Sequence, residues 1–279
     1  MDAALYTRQA HVAGRFYPAL PVPLAVEVER CLRSGPETDA LPERAIAVVA
    51  PHAGYVYSGA IAGRTFASVR IPASVIVLCP NHTGLGQPSS LWPRGRWRIP
   101  GAEVPVDADL AELLRARTAL VPDLLAHERE HAIEVQIPLL RALNPDLRVV
   151  PICLSRLTFA ECRALGEGLA DVVSSLPLEA RPLIVASTDM SHYISASLAE
   201  QLDAQALARV RELDAQGLHE LVERERLSMC GYVPTTVALV ASKALGGGRG
   251  RARLIEYGNS GEVSGDFEHV VGYAGLVVN

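Results

Sequence analysis

With 279 residues, 49% of them apolar, the chain can bury a sizeable core, and one α/β domain over residues 1–279 is the economical organisation. A net charge of −5 with mixed signs gives no electrostatic footprint for nucleic acid. The runs 74–79 and 270–278 are too short or too glycine-broken to span a bilayer, and residues 1–9 lack the layout of a secretory signal. The five scattered cysteines argue for reduced thiols, so the expected setting is the cytoplasm.

In chain order, the pattern predicts helix at 24–33, strand at 46–50, helix at 60–68, strand at 75–79, and helices at 107–117 and 132–143. Strand at 147–154, helix at 160–176 and strand at 182–187 follow. Helices at 198–213, 217–225 and 234–245 precede closing strands at 253–257 and 270–278. Near-continuous Val, Ile and Leu in the strand runs marks strands buried on both faces. Thr158 with Glu161 forms a capping box at the start of the 160–176 helix, which carries Leu165, Leu169 and Val172 on one face. Pro234 suits the first turn of its helix. The basic clump Arg249, Arg251 and Arg253 reads as a solvated turn.

Three strand runs lead into histidine: Ala-Val-Val-Ala-Pro-His52, Val-Ile-Val-Leu-Cys-Pro-Asn-His82 and Leu-Ile-Val-Ala-Ser-Thr-Asp-Met-Ser-His192. The carboxyl ends of strands in an α/β sheet form the crevice where ligands bind, so these imidazoles are expected to converge. Proline directly after the strand would hold His52 and His82 on rigid turns, and Gly54 and Gly84 would allow tight backbone paths. Cys230 stands in a glycine-marked turn before a helix, where the helix N-terminus is expected to lower its thiol pKa. Cys31, Cys79, Cys153 and Cys162 sit in apolar patterns and read as small core residues. Asp189 shares a turn with His192 and reads as the group that orients that base. Around His131, the segment 128–136 contains both Glu-x-x-His and His-x-x-Glu. That spacing occurs in helical di-metal sites, but a single copy suits orienting or substrate contacts beside the pocket.

Taken together, Ala50-Pro-His-Ala-Gly-Tyr-Val-Tyr57, Pro80-Asn-His-Thr-Gly84, Glu130-His-Ala-Ile-Glu134, Thr188-Asp-Met-Ser-His192 and Met229-Cys-Gly231 resemble the Memo family, whose bacterial and archaeal branch is called AmmeMemoRadiSam system protein B. The resemblance runs from Ala10 to Gly275. It implies a fold like that of class III extradiol dioxygenases, a layered sandwich with a central mixed, largely parallel sheet flanked by helices. It also implies a metal held by His52, His82 and Cys230, with Cys230 where those dioxygenases place a carboxylate, and His192 as acid/base beside Asp189. Phe16, Tyr57, His131 and Glu134 are the expected substrate contacts.

Fe(II) is the expected metal, with copper or zinc as softer-ligand alternatives because a thiolate also favours them. The expected activity is dioxygenase-like oxidation of a small aromatic or phenolic substrate. The alternative is a binding module that uses the same pocket, working with an AMMECR-type protein and a radical SAM enzyme. A metal-free nucleophile built from Cys230 and His192 would leave His52 and His82 unexplained.

Overall fold

The computed structural model describes residues 6–33, 41–248 and 250–279. In chain order the strands are β1 (Thr7–Arg8), β2 (Ala47–Ala50), β3 (Ser74–Pro80), β4 (Ser89–Leu91), β5 (Arg96–Ile99) and β6 (Ala102–Pro105). They continue with β7 (Val121–Pro122), β8 (Arg148–Leu154), β9 (Leu183–Ser187), β10 (His192–Ile194), β11 (Ala252–Asn259) and β12 (Val270–Val278). The helices are α1 (Pro21–Arg33), α2 (Ala60–Ala67), α3 (Ala108–Arg117), α4 (Leu125–Glu128) and α5 (Ile137–Leu143). After them come α6 (Phe159–Ser175), α7 (Ala196–Arg211), α8 (Ala215–Glu225), α9 (Tyr232–Leu245) and α10 (Gly261–Ser264).

At the centre β2, β9, β3 and β8 lie side by side and parallel, so their carboxyl ends meet at one edge. Ala50 pairs with Ser187, and Cys79 with Cys153. Antiparallel strands flank this core: β12 on β2, and β4 on β8. The sheet is therefore mixed, as expected.

Each central strand is apolar on both faces because both faces are covered. Val49, Ile76, Leu78, Ile152 and Ile184 pack in one cluster with α6 and α9 residues such as Leu169 and Val237. Their strand neighbours Val48, Val77, Val149 and Val185 point the other way, to α1, α2 and α5. Cys31, Cys79, Cys153 and Cys162 are all core residues with no accessible surface. Thr158 and Glu161 close the expected capping box at the start of α6.

Three differences from the sequence pattern have physical reasons. The stretch 89–105 supplies β4, β5 and β6 although prolines and arginines interrupt it. Here short edge strands are stabilised by pairing rather than propensity, and β5 and β6 join β1 in a separate small sheet. The helix expected at 132–143 is a 3-10 turn, Glu134–Gln136, followed by α5, with Pro138 in the first turn, where its missing N–H leaves no bond unmade. The basic clump divides: Arg251 is exposed in irregular chain as expected, Arg253 lies on β11, within the strand expected at 253–257, and pairs with Glu43, and Arg249 lies outside the described residues. Among the described residues no helix is long and apolar enough to cross a membrane.

Candidate metal centre

β2 ends at Ala50, Pro51 interrupts the ladder, and His52 follows at the sheet edge, 2% exposed. A π-helical turn, Tyr55–Gly59, then leads into α2, a geometry that recurs at functional sites. Beyond β3, Asn81 Oδ1 accepts from the Thr83 N–H, the Thr83 hydroxyl and the Gly84 N–H, and this turn holds His82. Gly84 has φ 67°, a left-handed conformation that glycine adopts freely; Gly54, at φ −56°, needs no such freedom.

A third imidazole joins these two. His131 comes from the turn between α4 and the 3-10 turn, and one nitrogen from each of His52, His82 and His131 lies within 4.8 Å of the others. The His82 and His131 rings stack with centroids 4.8 Å apart, and His52 meets both edge-on at 5.2 and 5.4 Å.

Hydrogen bonds fix which nitrogens face one another. His52 Nδ1 lies 2.9 Å from Ser187 Oγ. The Ser187 hydroxyl donates to the Ala132 carbonyl at 2.7 Å, and its oxygen also receives Gln136 Nε2 at 2.9 Å. Ser187 thus has no proton left for His52, which must donate from Nδ1 and keep a lone pair on Nε2. His82 Nδ1 lies 2.9 Å from Glu130 Oε1, a carboxylate that only accepts, so the same tautomer follows.

Burial holds the His52 pKa well below the ordinary imidazole value, with the nearby His82 charge adding to the effect. Burial, with His52 beside it, takes His131 down to about 4. For His82 burial pulls in the same direction, but the Glu130 hydrogen bond and charge outweigh it and raise the pKa. Burial would raise Glu130, yet its bonds and charges from His82, the His131 charge and the Ala132 N–H bring it to about 2. Two neutral imidazoles and a third tied to a buried carboxylate are the donor chemistry of a cation site.

Asp189 sits behind this edge. Its Oδ1 accepts the His52 backbone N–H at 2.7 Å, and Oδ2 lies 4.0 Å from His52 Nε2. Burial raises its pKa despite that N–H and the surrounding imidazoles. Cys230 Sγ lies 3.3 Å from His52 Nε2 and receives the Asp189 N–H at 3.3 Å. Close packing brings it there: a Cβ on Gly231 would stand 2.4 Å from both the Ser187 carbonyl oxygen and Thr188 Cβ, so only glycine lets the chain approach β9. The expected lowering of the Cys230 pKa is not seen. Burial and the Asp189 charge push the thiol up instead, so it is protonated.

His192 begins β10, its backbone N–H donating to Ser228 Oγ at 2.8 Å. The ring is half-buried, and its Nδ1 is enclosed without a hydrogen-bond partner. It is not one of the three converging imidazoles: of the strand-end histidines expected to meet, His52 and His82 do, and His131 takes the third place. The next residue, Tyr193, has φ 59°, a left-handed conformation that costs a non-glycine residue about 1–2 kcal/mol. Asp203 on α7 holds this turn by accepting from the Ser191 N–H and hydroxyl at 3.0 and 2.6 Å.

Of the expected substrate contacts, Phe16 packs on His131 with centroids 4.7 Å apart, and Tyr57 is 41% exposed on the turn after His52. His131 itself is one of the three converging imidazoles. Glu134 lies elsewhere: it is fully buried, pairs with Arg8, and accepts from the Tyr17 hydroxyl and the His11 and Val12 N–H groups. No oxygen is left to meet a substrate. From the same segment Glu130 and Gln136 take the orienting positions. Ser187 is the residue least visible in sequence, since a serine ending a buried strand reads as ordinary core.

Three imidazoles and a nearby thiol suit borderline metals such as iron, copper or zinc. Over residues 8–277 the chain matches the family model described as Memo-like protein. It is 40% identical to a MEMO1 family protein of Methanopyrus kandleri, over 97% of this chain and 98% of that one. A MEMO1 family protein of Methanosarcina mazei is 37% identical over 97% and 98%, and one of Thermotoga maritima 35% over 97% and 99%. Matched along nearly its whole length, and carrying its histidines at one sheet edge, the chain belongs to the Memo family.

Proposed function

We propose that this protein is a metal-dependent oxidoreductase acting on a small aromatic or phenolic substrate, with Fe(II) as the metal and copper as the alternative. The observation that carries this reading is the convergence of His52, His82 and His131, two of them with their outer nitrogens already committed as donors. His52 and His82 would hold the metal, with His131 and the Cys230 thiol, once ionised, as the adjoining donors. Bound Fe(II) supplies redox chemistry with dioxygen and a Lewis-acidic position for a phenolic oxygen.

The chain's own residues do the rest. Glu130 and Ser187 hold two rings in the productive tautomer, and the buried walls exclude water. His192 takes the phenolic proton through its other ring nitrogen, Nε2, since Nδ1 is enclosed, and Asp189 stabilises the imidazolium that results. Phe16 and Tyr57 flank the ring of the substrate.

Protein purified without oxygen and reconstituted with Fe(II) should hold one metal per chain, lose it in His52→Ala and His82→Ala, and consume dioxygen with catechols. Absence of stoichiometric metal, with no response to either substitution, would refute this function. The exposed aromatics Tyr193, Phe267 and Tyr57 favour a second reading, recognition of a partner surface such as an AMMECR-type or radical SAM protein. Recovery of those partners equally well by the doubly substituted His52→Ala, His82→Ala chain would favour it.

A further inference from the structure

Beside the histidine cluster, where β3 and β8 end, lies a cavity of about 740 Å³. Cys230 lines it, 3.3 Å from His52 Nε2, so the cavity adjoins the cluster through the thiol. Its walls include the apolar side chains Leu154, Val222, Leu227 and Val233. A space of this size and lining admits a ring-sized organic molecule.

The charged groups lining it are Arg156, Glu223 and Arg226. Glu223 pairs with Arg156 and accepts from the Tyr232 hydroxyl, so that carboxylate and that guanidinium offset each other. Arg226 has no ion pair or side-chain hydrogen bond among the described residues and leaves the cavity one positive charge in excess. It closes α8 at φ 53°, ψ 42°, a left-handed position that glycine or asparagine would occupy with less strain. Nearby, Ser155 Oγ accepts from Asn81 Nδ2 at 3.2 Å, which leaves its own proton to donate.

We infer that this cavity binds the carboxylate of the substrate, held by Arg226 and Ser155, with the apolar body of the molecule extending past Leu227 to Cys230. A single uncompensated guanidinium matches a monoanion, whereas a phosphate dianion would meet the Glu223 carboxylate. The inference deepens the proposed oxidoreductase function by naming its substrate class, but the carboxylate contact itself needs no metal.

The test is a titration of the full chain as purified, followed by proton NMR line-broadening, with its metal content measured on the same sample. The probes are 4-hydroxybenzoate, its neutral isostere 4-hydroxybenzamide, and 4-hydroxyphenyl phosphate. The acid should bind roughly tenfold more tightly than the amide and more tightly than the phosphate. Arg226→Asn, which suits the left-handed position, should erase the preference for the acid. Arg70→Gln, on a cavity at the opposite edge of the sheet, should leave it intact. Equal binding of acid and amide, no binding of either at millimolar concentration, tighter binding of the phosphate, or a preference that survives Arg226→Asn would each overturn the inference. A chain that takes up no Fe(II) on anaerobic reconstitution yet keeps the preference would remove the proposed redox function and leave the carboxylate site standing.

Discussion

Glu130 and Glu134 stand four residues apart, both buried, and do opposite work. Glu134 meets Arg8, the Tyr17 hydroxyl and two backbone N–H groups, while Arg8 also donates to the carbonyls of His127 and Glu130. Every strong hydrogen-bonding position there is filled from within the chain. Glu130 instead spends its oxygens on the His82 ring, the His82 N–H and the Ala132 N–H, and the ring it holds keeps a lone pair facing two other imidazoles. A saturated buried carboxylate fastens the N-terminal segment; one attached to an unsaturated imidazole points at something outside the chain.

The comparison breaks if the two carboxylates respond alike. Arg8→Met leaves Glu134 buried without its cation and should cost about 3–5 kcal/mol of unfolding free energy in urea titrations, with metal affinity of the folded fraction unchanged. Glu130→Gln should show the reverse pattern: metal affinity falling roughly 10–100-fold in competition with a chelator, with a smaller loss of stability. Weakened metal binding in the first variant, or none in the second, would mean the division of labour is wrong.

His127, whose carbonyl accepts from Arg8, gives an acid test on the Glu134 side. Burial, reinforced by the Arg8 charge, takes its pKa to about 3, so the folded chain keeps it neutral while the unfolded chain protonates it near its ordinary value. Its share of stability is therefore complete above about pH 6.5 and drains away as pH falls toward 3. Across that window His127→Phe should lower the pH slope of unfolding free energy by up to ~1.4 kcal/mol per pH unit. An unchanged slope would show that the ring is not neutral by burial. The smallest effect is expected at Tyr193, where asparagine relieves left-handed strain and should raise stability by about 0.5–1 kcal/mol in thermal melts. A loss instead would mean that the Tyr193 side chain supports the fold.

How much of this was legible follows from range. The central strands declared themselves through continuous Val, Ile and Leu, and α6 through Thr158 and Glu161, because burial on two faces and a capping box are local patterns. Strands β4 to β6 did not, because pairing rather than composition makes them. At the site His52 and His82 were readable from the strand ends that carry them, whereas Asp189, expected to orient His192, bonds the His52 N–H instead and leaves His192 Nδ1 without a partner. The segment 128–136 was recognised as chemically loaded, but sequence could not say which carboxylate faces which way. Glu134 turns to Arg8, a partner 126 residues distant, and that choice belongs to tertiary packing. The shift of Cys230 was misread for the same reason: a nearby helix start is local, whereas burial against Asp189 is not.

The parallel pairing of β2 with β9 carries a temporal consequence. His52 finds the hydroxyl that fixes its tautomer 135 residues along the chain, and Cys230 reaches His52 across 178. Such closures are entropically slow and are completed only once the central sheet is in place. A nascent or denatured chain consequently keeps its histidines apart, and the cluster that could hold an ion comes into being only when folding is finished.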